Sequence, residues 1–101
     1  MKYQLVLQWT SSSIDYDTMI EVEELLIAQL AADSEVDGHD AGVGELNIFI
    51  RTNAPEHVFD SVKTLLAAQG LLVSARAAFR LSDGETYTVL WPKGLKSFKV
   101  A

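Results

Sequence analysis

The chain has 101 residues, no cysteine, 49% hydrophobic residues and a formal net charge of −6. That length and apolar content suit one domain with its own core, and they exclude a disordered chain, a disulfide scaffold and thiolate chemistry. The acidic balance argues against a nucleic-acid partner, whose phosphates require a basic surface.

The charge is uneven: residues 1–60 carry twelve Asp/Glu against Lys2 and Arg51 (net −10), whereas residues 61–101 carry six Lys/Arg against Asp83 and Glu85 (net +4). No stretch of about 20 apolar residues spans a membrane, and Met1 to Leu5 do not open a signal peptide, so the expected location is cytoplasmic.

Residues 3–10 alternate as a strand, with Tyr3, Leu5, Leu7 and Trp9 on the more apolar side and Gln4, Val6 and Gln8 on the other. Ser11 to Ser13 break it. Asp15 or Asp17 caps a helix expected to run to about Ala32, with Met19, Val22, Leu26, Ile27 and Leu30 on its apolar stripe and Glu21 and Glu24 in water. The polar, glycine-rich segment from Asp33 to Gly44 follows and reads as an irregular strand and a turn.

Glu45 to Arg51 is the clearest strand, with Leu46, Ile48 and Ile50 opposed to Glu45, Asn47, Phe49 and Arg51. Asn53, Pro55 and Glu56 start a second helix, striped by Val58, Phe59, Val62, Leu65 and Leu66 and ended by Gly70. Residues 71–81 read as a strand with Val73, Ala75, Ala77, Phe79 and Leu81 on one side. Asp83-Gly84 signals a two-residue hairpin loop into a strand over 86–91. Pro92 stops that strand, and Lys93 to Ala101 form a basic tail with Leu95, Phe98 and Val100 available to pack.

The order is βαββαβ with an additional C-terminal strand, which predicts a ferredoxin-like α+β sandwich: an antiparallel sheet with two helices on one face. The other face then carries Gln4, Val6, Gln8, Glu45, Asn47, Phe49, Arg51, Arg76 and Arg80. A two-residue loop pairs Arg80 with Tyr87 and Arg76 with Trp91, placing both aromatics on that face beside the guanidinium groups. Sheet-to-sheet dimerisation, cover by the C-terminal tail, or a small-molecule or peptide site would each account for so apolar a face.

Glu35, Asp37, His39, Asp40 and Glu45 lie within eleven residues. A histidine among carboxylates suits a divalent metal or an acid–base pair, and strand alternation would put Glu35, Asp37 and His39 on one side. The competing reading is an acidic edge hairpin whose charges discourage edge-to-edge pairing. His57 has no spacing partner. No phosphate-binding glycine loop, dinucleotide fingerprint or nucleophile elbow is present. Neither a catalytic residue, a metal nor a cofactor is assigned. The candidate binding residues are Asp37, His39, Asp40, Glu45, Asn47, Arg51, Arg76, Arg80, Tyr87 and Trp91.

Through Glu35-Val36-Asp37-Gly38-His39-Asp40, Gly44-Glu45-Leu46-Asn47-Ile48-Phe49-Ile50 and Tyr87-Thr88-Val89-Leu90-Trp91-Pro92, the whole chain resembles a family of small uncharacterised bacterial proteins. That resemblance implies the fold and a bacterial origin. The expected role is a non-enzymatic cytoplasmic binding or interaction module, a homodimer or one with a protein partner. The alternative is a small enzyme or ligand-binding protein of the dimeric α+β barrel type.

Overall fold

The computed structural model describes every residue except Ala31, Asp33 and Ala101; the expectations for Asp33 in the polar segment and Ala101 in the tail lie outside the described residues. The elements run β1 (Tyr3–Thr10), α1 (Tyr16–Gln29), β2 (Ser34–Gly42), β3 (Glu45–Thr52), α2 (Pro55–Ala68), β4 (Arg76–Leu81) and β5 (Thr88–Trp91). The five strands form one antiparallel sheet in the order β2-β3-β1-β4-β5. No helix among the described residues is long and apolar enough to cross a membrane.

The side-chain alternation of the central strands sorts the two faces as expected. Leu5 lies opposite both Ile50 and Phe79, and Leu7 opposite Ile48 and Ala77. Apart from Phe79, which is partly buried and packs against it, these residues share one buried cluster with Met19, Val22 and Leu26 of α1 and Val58, Phe59, Val62 and Leu66 of α2. Both helices therefore cover the same face. At about 1.5–3 kcal/mol for each fully buried aliphatic side chain, this layer is the main source of stability.

The helix ends follow local chemistry. The Asp15 carboxylate accepts the Thr18 N–H at 2.7 Å and caps α1. Hydrogen bonds from the Thr18 side chain, then from its backbone, hold the Asp15 carboxyl below its ordinary value. Helix α2 begins differently from the expectation at Asn53. Its N-cap is Ala54, which makes no side-chain cap bond. Asn53 instead accepts the Lys2 backbone N–H at 2.7 Å, tying the start of β1 to the end of β3. Gly70 ends α2 with φ +71, and Leu71 N–H returns to the Leu66 carbonyl at 2.9 Å.

Three expected elements are shorter. Helix α1 stops at Gln29, and Ile27 points outward, 63% exposed. Strand β4 starts at Arg76 because residues 71–75 form a turn closed by Ala75 N–H to the Leu72 carbonyl. Val73 is consequently 95% exposed rather than on the sheet. The indole N–H groups of Trp9 and Trp91 donate to the Leu71 and Leu72 carbonyls, both at 3.1 Å, and satisfy that turn. Strand β5 begins at Thr88, not Thr86.

Candidate functional site

The Glu35 to Asp40 segment folds as an edge strand with a bulge. Val36 pairs with Ile50 but His39 pairs with Ile48, so Asp37 and Gly38 together oppose Phe49. Gly38 takes φ +105 there, a conformation that an L side chain resists. The extra residue reverses the alternation. His39 turns to the helix side, while Glu35, opposite Arg51, stays on the other. The expected grouping of Glu35, Asp37 and His39 on one side is therefore wrong, since a bulge shifts side-chain parity by one.

On the helix side His39 meets α1. Its Nδ1 lies 3.0 and 3.1 Å from the two Glu23 carboxylate oxygens, and its Nε2 lies 3.1 Å from the Tyr16 hydroxyl. Facing the Glu23 carboxylate, Nδ1 donates, and Nε2 shares a hydrogen bond with the Tyr16 hydroxyl. The Tyr16 and His39 rings meet edge-on, 5.7 Å between centroids. A carboxylate–imidazole–hydroxyl chain of this order is the arrangement by which a base is oriented toward a hydroxyl. Here it joins helix to edge strand, and both ring nitrogens are engaged within the chain.

Among the described residues no three His, Cys, Asp or Glu converge as a metal-holding group. Asp37 and Asp40 are exposed, Asp40 lying opposite Asn47. Tyr16 and Glu23 were not singled out from the sequence. Their spacing of seven residues, two turns along one helix stripe, was the available signal. It becomes informative only once the bulge brings His39 beneath it.

The second sheet face is closed by the tail. Gln8 Nε2 donates to Asn47 Oδ1 at 3.0 Å and to the Lys99 carbonyl at 3.0 Å, and Asn47 Nδ2 donates to Glu45 Oε1 at 3.3 Å. Val6, Gln8, Asn47 and Ala78 are all buried on this face. Tyr87 packs against Phe98 with ring centroids 5.0 Å apart. Arg76 lines a cleft of about 400 Å³ with Gln8, Glu45, Ser97, Phe98 and Lys99. Arg51 lies half-buried on the same face, opposite Gln4.

Two expectations for this face change. The register implied by the Asp83-Gly84 loop holds at Phe79 with Thr88 and Ala78 with Val89, but then shifts, so Trp91 faces Ala77 instead of Arg76. The shift makes Leu90 an extra residue on β5 and turns Trp91 to the helix side. There the Lys63 ammonium of α2 sits 4.7 Å from its ring centroid. Arg80 does not stack on Tyr87 either. Its Nη1 donates to the Leu81, Ser82 and Gly84 carbonyls at 3.0, 2.8 and 3.0 Å, holding the turn after β4.

Of the expected binding residues, Glu45, Asn47, Arg76 and Tyr87 thus gather around the tail. His39 joins Tyr16 and Glu23, and Arg80 and Trp91 serve the structure around β4 and β5. Fold and site together define an α+β protein with a five-stranded antiparallel sheet, two helices on one face and its own tail on the other. No protein-family model, curated protein or solved structure matches the chain.

Proposed function

We propose that the chain is a non-enzymatic, self-associating protein-interaction module of ferredoxin-like architecture, acting in the bacterial cytoplasm. The architectural part is supported by the helices placed after β1 and β3 and by β1 lying between β3 and β4. One observation carries the function. The centre of the sheet face opposite the helices is covered by the chain's own tail, with the buried amides of Gln8 and Asn47 satisfied there. The Gln8 amide on this face already holds a main-chain carbonyl, that of Lys99, which supports recognition of a polypeptide segment there.

Sedimentation velocity on the purified chain from about 5 μM to 1 mM tests it, spanning the micromolar-to-millimolar affinities of weak association. A concentration-dependent rise toward the dimer mass is expected. The monomer mass throughout would overturn self-association.

The ligand-binding alternative draws on the cleft beside Arg76 and Glu45. Saturable binding of a small anionic metabolite, abolished by Arg76→Ala with the fold intact, would favour it over the interaction module.

A further inference from the structure

The chain of hydrogen bonds from Glu23 through His39 to Tyr16 is buried at one end and open at the other. The Glu23 side chain is 13% exposed and holds His39 Nδ1 through both carboxylate oxygens, 3.0 and 3.1 Å away. A ring whose Nδ1 donates has, in its neutral form, a lone pair at Nε2. That atom lies 3.1 Å from the Tyr16 hydroxyl, and Tyr16 is 49% exposed. Orienting carboxylate, base and nucleophile thus stand in hydrogen-bond sequence, with the nucleophile facing solvent.

The other two tyrosines lack this arrangement. Tyr3 meets Phe79 edge-on and has the Lys2 ammonium 5.6 Å from its ring centroid, while Tyr87 packs against Phe98. Among the described residues, only the Tyr16 hydroxyl bonds a histidine.

The surroundings of Tyr16 select the electrophile it would meet. Residues 11–40, which include α1 and the bulge of β2, hold nine Asp/Glu and no Lys or Arg. An anionic donor such as an acyl phosphate is repelled there, and that stretch offers its phosphate no cation. An uncharged ester carries no such penalty.

We propose that Tyr16 is an acyl-acceptor site: its hydroxyl takes an acyl group from an uncharged activated ester, with His39 as the base and Glu23 positioning it. The Tyr16 oxygen bonds to the acyl carbon as its proton passes to His39 Nε2. The bond from that carbon to the ester oxygen then breaks, and the departing oxide takes the proton from Nε2. One ester becomes one acyl-tyrosine and one alcohol. The transfer occurs once per chain without turnover, so it goes beyond the interaction reading and does not depend on it.

The test treats the full chain with p-nitrophenyl acetate and reads the initial acetylation rates of Tyr16, Tyr3 and Tyr87 by peptide mass mapping. Tyr16 should react about tenfold faster or more than either, with a solvent deuterium isotope effect. His39→Gln, whose amide still bonds but takes no proton, should bring Tyr16 down to the other two and remove the isotope effect. Glu23→Gln, which keeps an acceptor at Nδ1 without the charge, should slow Tyr16 and keep the isotope effect. With acetyl phosphate, the preference for Tyr16 over Tyr3, which has Lys2 beside it, should shrink.

Exposure alone would leave the Tyr16 rate unchanged in His39→Gln. That result, or equal rates at the three tyrosines of the parent chain, overturns the proposal. The parent rate in Glu23→Gln overturns the positioning role of Glu23, and an undiminished preference with acetyl phosphate overturns the assignment to an uncharged donor.

Discussion

Gly38→Ala isolates the bulge that delivers His39 to α1. An added Cβ meets nothing within 4 Å, so its cost comes from the backbone alone at φ +105. Holding a non-glycine residue there costs about 1–3 kcal/mol. The chain can relieve this strain by ironing out the bulge, but a one-residue slip turns His39 away from Glu23 and Tyr16. With side chains 30% and 13% exposed, the His39–Glu23 pair is partly screened by solvent. Removing the His39 bonds should therefore cost on the order of 1 kcal/mol.

These two effects must couple. Equilibrium urea unfolding, followed by tryptophan fluorescence, would be measured for Gly38→Ala, His39→Ala and the double variant. The double variant should fall short of the sum by about 0.5–1 kcal/mol, because losing the bulge already forfeits part of the His39 contribution. Strict additivity, or a neutral Gly38→Ala, would refute the view that the bulge exists to aim His39.

Gln8→Leu strips the buried Asn47 Oδ1 of its donor and should cost about 1–3 kcal/mol in chemical denaturation, whereas the added Asn47→Leu should recover part of it. Trp9→Phe removes the indole donor to the Leu71 carbonyl. At about 1–2 kcal/mol it should lower the melting temperature by roughly 4–16 °C in calorimetry. For Asp15, the folded carboxyl lies below its ordinary value, so its stabilisation is fully present above the unfolded pKa and is lost as pH falls through the lowered folded one. Asp15→Asn should flatten that acid limb in hydrogen exchange at the α1 N-terminus, and an unchanged limb would show that the cap does not contribute.

The α+β class was legible because burial on one side imposes simple periods. Leu5, Leu7 and Trp9 alternate, as do Leu46, Ile48 and Ile50, and Val58, Phe59, Val62 and Leu66 repeat at helical spacing. Asp15 and Gly70 marked helix ends through chemistry confined to a few residues. The early part of the β4–β5 register was legible for the same reason, since Asp83-Gly84 governs its immediate neighbours.

The site was not legible in that way. The sequence determined which residues could face together: the central-strand residues of the second face, Gln8 and Asn47 among them, occupy the side that their alternation assigned. It also marked Glu35 to Asp40 as unusual without revealing that Gly38 would reverse the parity there. Only the tertiary structure decided that His39 meets Glu23 and Tyr16, that Trp91 crosses to α2, and that Phe98 and Lys99 close the second face. Each depends on a bulge or a turn whose one-residue shift is selected by distant packing. Periodicity within a strand carries no record of that choice.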